Sequence, residues 1–511
     1  MKRMNHMLLT AGMLSASLPG LAQQRQSQQP KNVVFIAIDD LNNWVGFLGG
    51  HPDTRTPNMD RLARMGVVFE NAYCAAPVSN ASRAALLSGF RTSTTGVYGN
   101  AEFMRESEVI NRGTTLPRYF SNHGYKASAR GKIFHHPMGP WADPQSWDSQ
   151  ENLGGKNLNA APKIPGRQAN GMPILTSGGG GSVILDWAGV DVDEKQTNDW
   201  LNAEWAAEEL MKKHDQPFFL ACGIFRPHLP WYVPQKYFDR FSADSLALPP
   251  RDSDDTMSKL SERALQMTGY RKPDHEFHLL KKAGMEKEAV RAYLACISYA
   301  DDCVGLIVDA LEKSPNRDNT IVVLWGDHGW HLGEKMRYRK FSLWERSCRM
   351  PLIIIAPGVS KPGTRCTKPV NLIDLYPTLV SLAGLPANKQ NDGHDISPLV
   401  CDPEAKWDIP SITTLAQNEH SIRDERFRYI IYRDGSEELY DHVNDPNEWN
   451  NLAGDSRYAA EKKRLKGFIP AVNVKSIGPS KVKKTRQAYR PALDEIEQEV
   501  EDYNRYLGFV R

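Results

Sequence analysis

The chain has 511 residues, 41% of them hydrophobic and 24% charged, with a mean hydropathy of -0.51. That composition allows a large buried core and excludes a chain that lives inside a bilayer. Lys and Arg number 63 against 61 Asp and Glu, a net charge of +2, without the basic excess of a dedicated nucleic-acid binder. Affinity for an anionic ligand must therefore come from a local cluster.

Residues 1–22 have the layout of an export signal: Lys2 and Arg3, an apolar stretch from 7 to 18, then Leu21-Ala22. This predicts a mature chain from about Gln23, located in the periplasm or outside the cell. The apolar stretch is too short to span a membrane, so no span is expected.

Residues 31–38 form a continuous β-branched run that ends at Asp39-Asp40, the pattern of a strand buried on both faces. Amphipathic helices are predicted over 58–65, 82–88, 197–213 and 286–313, the last with a stripe of Ala292, Ile297, Val304 and Leu311. The Gly-, Pro- and Asn-rich stretch 152–182 reads as a long surface loop, lying over an active site. Strand runs recur at 320–325, which ends at Gly326-Asp327-His328, and at 351–356. Strands alternating with helices predict an α/β domain with a mainly parallel sheet.

A second, smaller α+β unit is expected from about Cys401, with a hairpin over 426–440 turning at Asp434-Gly435 and a final acidic helix over 493–507. The expected division is a leader at 1–22, a catalytic domain at 23–400 and a C-terminal subdomain at 401–511. The seven cysteines form neither a disulfide framework nor a paired C-x-x-C metal site. Their odd number leaves at least one outside any intramolecular disulfide.

Ligands in open parallel sheets bind at the carboxyl ends of the strands. Asp39-Asp40 and Asp327-His328 stand at two such ends, and the two pairs can converge on one cation. Taken alone, an aspartate there is as readily a turn or a helix cap.

The segment from Ser79 through Asn80, Ala81, Ser82 and Arg83 to Ser88-Gly89-Phe90-Arg91 resembles the signature of type I, formylglycine-dependent sulfatases. Other fragments resemble the same family in order: Thr56-Pro57-Asn58-Met59-Asp60, Gly131-Lys132-Ile133-Phe134-His135, Arg226-Pro227-His228-Leu229-Pro230, Asp327-His328-Gly329-Trp330 and Glu438-Leu439-Tyr440-Asp441. The forms around Lys132, Asp327 and Lys340 are similar to the iduronate-2-sulfatase branch. Asn80-Ala81-Ser82 also matches a glycosylation sequon, read here as coincidence.

This resemblance implies an alkaline-phosphatase-like α/β fold: a mixed, mainly parallel sheet between helices, with a smaller α+β subdomain. It implies that Ser79 is oxidised to formylglycine, whose hydrate supplies the nucleophile, because a serine hydroxyl is itself weak. Asp39, Asp40, Ser79, Asp327 and His328 would hold a divalent cation, calcium first, with manganese or magnesium open because His328 is a nitrogen ligand. Lys132 and Lys340 would clamp sulfate oxygens, Arg83 would hold the modified residue, His228 would protonate the leaving oxygen and His135 would assist. Lys335, Arg337 and Arg339 compete with Lys340, and His136 with His135.

Ser79 in place of the commoner Cys implies a serine-type maturase as partner. The substrate class implied is a sulfated carbohydrate, for which Arg337, Tyr338, Arg339, Trp141 and Trp147 can offer charge and stacking. A phosphodiesterase or phosphonate hydrolase of the same superfamily and a non-catalytic sulfated-glycan binder are the alternatives.

Overall fold

The computed structural model describes residues 31–150, 168–172, 185–273 and 275–482. The leader, the glycine tract at 178–181 and the helix expected over 493–507 lie outside the described residues.

The central sheet has eight strands: β1 (Asn32–Ile38), β2 (Val67–Phe69), β3 (Lys126–Arg130), β4 (Ser149–Gln150), β5 (Phe218–Ile224), β6 (Thr320–Gly326), β7 (Leu352–Ile355) and β8 (Thr364–Cys366). Their order across the sheet is β8-β2-β7-β6-β1-β5-β3-β4. All neighbours run parallel except β7, which is antiparallel to both β6 and β2. The run at 351–356 is thus a strand as predicted, but it enters the sheet reversed.

β1 lies between β5 and β6, with Val33 opposite Phe219 on one side and Ile321 on the other. Successive side chains of a strand point to opposite faces, so its unbroken apolar run feeds two cores. Val34, Ile36 and Ile38 pack with Ala203, Ala206, Ile297 and Val304. Val33, Phe35 and Ala37 pack with Leu86, Leu116 and Leu379 on the other face.

The helices packed on these two faces are α1 (Pro57–Ala63), α2 (Ser79–Ser88), α3 (Leu116–Asn122), α4 (Asn198–Met211), α5 (Glu286–Lys313) and α6 (Leu375–Leu382). α5 is 28 residues long and matches its predicted bounds. α2 begins three residues earlier than expected. Ser82 does not cap it, because its Oγ donates instead to the Asp327 carbonyl at 2.6 Å.

The C-terminal region is a four-stranded antiparallel meander, β9 (Ser411–Ala416), β10 (Glu419–Arg423), β11 (Phe427–Ile431) and β12 (Glu437–Asp441). The expected hairpin is β11–β12. β9 docks on the segment that leads into α2: Thr413 Oγ1 donates to the Cys74 carbonyl at 2.7 Å and the Thr414 amide to the Ala75 carbonyl at 2.9 Å. Among the described residues, no helix is long and apolar enough to cross a membrane.

Candidate active site

The site forms where β1 and β6 end side by side. The Asp39 amide extends the β1–β5 ladder by one bond, to the Ile224 carbonyl at 3.0 Å. Asp40 then leaves the strand with φ at 57°, a left-handed conformation that Asp tolerates better than most residues. Two bonds hold that turn. The Asp40 amide donates to Asp327 Oδ1 at 3.0 Å, and its carbonyl accepts from the Tyr293 hydroxyl of α5 at 2.7 Å. At Gly326, the last residue of β6, an added Cβ would lie 2.7 Å from the Leu41 carbonyl oxygen. Glycine is what lets the two strand ends come this close.

Ser79 enters from the N-terminus of α2 and is fully buried. Its Oγ is 3.0 Å from His328 Nε2 and accepts from Lys340 Nζ at 3.4 Å. One helical turn on, Arg83 points the same way and is also fully buried. Its Nε donates to Asp327 Oδ2 at 2.9 Å, its Nη2 to Asp39 Oδ1 at 3.0 Å, and its Nη1 to the carbonyls of Lys132 and Ile133 at 2.6 and 2.9 Å. The guanidinium thereby binds both strand-end acids and the chain that carries Lys132.

The remaining cations complete the cluster. Lys132 Nζ donates to Asp39 Oδ2 at 2.6 Å and Lys340 Nζ to Asp40 Oδ1 at 2.8 Å. The competitors of Lys340 are engaged elsewhere. Lys335 pairs with Asp252 at 3.1 Å and donates to the Glu448 carbonyl. Arg337 donates to the carbonyls of Met267, Lys340 and Phe341, and Arg339 to Glu276 at 2.8 Å.

His228 follows β5 in a turn where Nδ1 lies 2.6 Å from the Leu229 carbonyl, which assigns the proton to Nδ1. Its Nε2 faces Asp40 Oδ2 at 3.8 Å. His135 is buried with its ring 5.7 Å from Trp141 and 5.2 Å from His136. Trp147 is a core residue against Phe134 and Phe219. Together with the internal bonds of Arg337 and Arg339, its burial corrects the reading of these side chains as a surface for stacking or charge recognition of a glycan.

Burial sets the electrostatics. It pushes the Asp39 carboxyl up to about 6 in spite of Lys132 beside it. Burial would raise Asp327 too, but His328, Arg83 and Lys132 hold it well below the usual carboxylate range. Burial lowers His328 to about 3 and, with Lys132 and Lys340, drives His228 well below the ordinary imidazole value. Both rings are therefore neutral, as a ligand nitrogen must be.

Donor atoms of Asp40, Asp327 and His328 lie within 4.8 Å of one another. Two carboxylates and a neutral imidazole in a fully buried cluster fit a divalent cation. Glu345, His442 and Glu448 also converge, but Arg428 occupies that second cluster. It pairs with Glu345 and, through Nε, with Glu448 at 2.7 Å.

Two contributors escaped the sequence reading. Tyr293 is a polar-tipped aromatic within the apolar face of α5, which was its only local signal. Asn80 donates through Nδ2 to the carbonyls of Gly99 and Glu102, both at 2.7 Å. Its amide is consumed inside the protein, which disposes of the sequon in the folded chain.

The chain matches the sequence model described as Sulfatase over residues 31–385, and the one described as N-sulphoglucosamine sulphohydrolase, C-terminal, over 326–475. A sulfatase of Formosa agariphila is 36% identical over 482 residues, covering 93% of each chain. The iduronate 2-sulfatase of Mus musculus is 27% identical and covers 74% of this chain and 73% of its own. A solved structure of a protein in complex with its substrate D-glucosamine-2-N,6-O-disulfate superposes with a TM-score of 0.65 at 22% identity, covering 86% of this chain and 96% of that one. It shares the alkaline-phosphatase-like fold. By the span of the Sulfatase match and the likeness to the Formosa protein, the chain belongs to the sulfatase family, enzymes that hydrolyse sulfuric esters.

Proposed function

We propose that the protein is an exported enzyme that hydrolyses a sulfate ester on an acidic carbohydrate and releases inorganic sulfate. The supporting observation is the position of Ser79: its buried Oγ, at the start of α2, lies between His328 Nε2 and Lys340 Nζ. In this reading a serine-type maturase converts Ser79 to formylglycine, and Asp40, Asp327 and His328 hold the cation, calcium first, with Asp39 beside them. Formylglycine at position 79 would supply the nucleophilic oxygen that serine lacks, and the cation would supply positive charge to the sulfate. Residues 23–400 would form the catalytic domain and 401–511 the subdomain.

The chain's own residues do the rest. Arg83 fixes Asp39 and Asp327, so it acts as a positioning residue. Lys132 and Lys340 carry N–H groups that turn to the sulfate oxygens as charge builds on them. His228 delivers a proton from Nε2 to the leaving alkoxide while Nδ1 stays on the Leu229 carbonyl. The negative charge of a bound sulfate ester opposes the effect of burial on that ring and favours the protonated form. His135, beside Trp141, would assist as a hydrogen-bond donor. The relatives' own names, iduronate 2-sulfatase among them, support a carbohydrate substrate.

Two measurements test the proposal. Mass spectrometry of the peptide across Ser79, from the native organism, should show a mass two units below serine; unmodified serine would leave only a glycan-binding role. Matured protein should release sulfate from heparin-, chondroitin- or algal-type oligosaccharides and prefer an aryl sulfate to a bis-aryl phosphate. Preference for the phosphate diester would reverse the assignment of substrate class.

A further inference from the structure

Cys74 and Cys348 face each other across the short antiparallel bridge between Tyr73 and Arg349. The Cys74 amide donates to the Cys348 carbonyl at 2.9 Å, and the two thiols lie close enough to perturb each other electrostatically. Cys348 ends the helical turn Glu345–Cys348 and sends its own amide to the Trp344 carbonyl at 3.2 Å, so a single backbone bond joins the two cysteines. A disulfide requires Cα atoms within about 7 Å, and a direct backbone N–H to carbonyl bond between the two residues holds theirs inside that reach. Both side chains are fully buried thiols. Each has only a weak sulfur contact to a backbone carbonyl, Cys74 to Ser347 at 3.7 Å and Cys348 to Ser342 at 3.6 Å. Among the described residues, no other two cysteines are joined by a backbone hydrogen bond.

We propose that Cys74 and Cys348 are a disulfide site, oxidised as the chain folds in an oxidising compartment by a small or protein disulfide. The Cys74 Sγ–Cys348 Sγ bond forms as the S–S bond of the oxidant breaks. Two electrons pass to the oxidant, and the two thiol protons end on its sulfurs. Burial raises the Cys74 thiol well above its ordinary range, so exchange in the folded chain is slow and the bond forms before the core closes.

The bond would have a local consequence at the site. Cys74 lies just ahead of Ser79, and Cys348 follows the segment that carries Lys340. One backbone bond already joins those segments, from the Phe341 amide to the Pro77 carbonyl at 3.0 Å. A disulfide would tie the entry of α2 to the Lys340 segment covalently, and would constrain the unfolded chain over most of its length.

The inference rests on the export half of the proposed function, but its readout needs no sulfatase turnover. The full chain, unfolded and reduced, is refolded in mixed oxidised and reduced glutathione, alkylated, and digested without reduction. Mass spectrometry should find the Cys74 and Cys348 peptides cross-linked, two hydrogens lighter than their sum, with the other five cysteines alkylated. The oxidised protein should melt roughly 5 °C above the same protein treated with dithiothreitol, a gap that Cys348→Ser and Cys74→Ser each abolish. Alkylation of both residues, or a link from either to glutathione or another cysteine, overturns the proposal even if neither variant folds. A link that forms in glutathione but is absent from protein isolated from its own cell upholds the site and counts against export.

Discussion

Lys340 and Asp40 stand 300 residues apart in sequence, yet Nζ donates to Oδ1 at 2.8 Å with both side chains fully buried. A buried ammonium persists only beside an opposite charge, and here the same ammonium reaches Ser79 Oγ. Lys340→Ala should lower kcat/KM by about 10²-fold or more on every sulfate ester, because the lost charge acts on the transferred group. Lys335→Ala should lower the melting temperature and leave kcat on an aryl sulfate within a few fold, since Lys335 serves Asp252 and the Glu448 carbonyl. Steady-state kinetics on both folded variants decide this; equal losses would return Lys335 to the list of sulfate ligands.

Bound metal should amount to one divalent cation per chain, not two. Lys340 and Arg83 each bond one carboxylate of the Asp40, Asp327 and His328 cluster, whereas at Glu345, His442 and Glu448 a single guanidinium, that of Arg428, pairs with both carboxylates. A divalent ion there would have to displace a buried arginine, which strands a charge at a cost of about 3–5 kcal/mol. Elemental analysis after dialysis should give a ratio near one, falling to near zero in Asp327→Ala. A second ion that survives Asp327→Ala would contradict this assignment.

His228→Ala should separate two substrate types. A general acid matters in proportion to the basicity of the group it protonates. Loss of His228 should therefore cost roughly 10²- to 10⁴-fold on a sugar sulfate and far less on an aryl sulfate with an acidic leaving group. Asp327→Ala should damage both alike. Equal losses for His228→Ala in folded protein carrying the modified Ser79 would move the acid role to His135 or Lys340.

The parts of this molecule legible in its sequence share one property: the signal is local. Asp39-Asp40 and Asp327-His328 stand out because each closes an unbroken apolar run, and α5 because its stripe repeats for 28 residues. β5 carries an equally continuous buried run, Phe218–Ile224, a local signal of the same kind. The reversal of β7 has no local mark, since pairing direction is decided by how the chain returns to the sheet. Nor can composition separate Lys340 from Lys335, Arg337 and Arg339. Left-handed backbone at Lys335, Met336 and Arg339, with φ of 55°, 48° and 73°, turns these neighbouring cations toward different partners. Arg83 was expected to hold the residue one turn before it; its bonds to Asp39 and Asp327 depend on two strand ends brought together from 288 positions apart in sequence.

Stability should fall in mild acid through His420, on β10. Its Nε2 meets Asn473 Nδ2 at 2.7 Å and its Nδ1 meets Thr414 Oγ1 at 3.0 Å, so the Asn473 N–H occupies the nitrogen that a second proton would need. Burial, with Arg91 nearby, lowers this imidazole to about 4 from its ordinary 6.5. Between those values the unfolded chain binds the proton and the folded chain does not. The contribution of the neutral ring is therefore complete above about pH 6.5 and is lost as pH falls toward 4, by an amount on the order of 3 kcal/mol. Urea unfolding at pH 7.5 and pH 4.5 checks this against His420→Gln, which carries no titrating proton. The native chain should lose more stability than the variant across that interval, and parallel pH profiles for the two would show that His420 titrates alike in the folded and unfolded states.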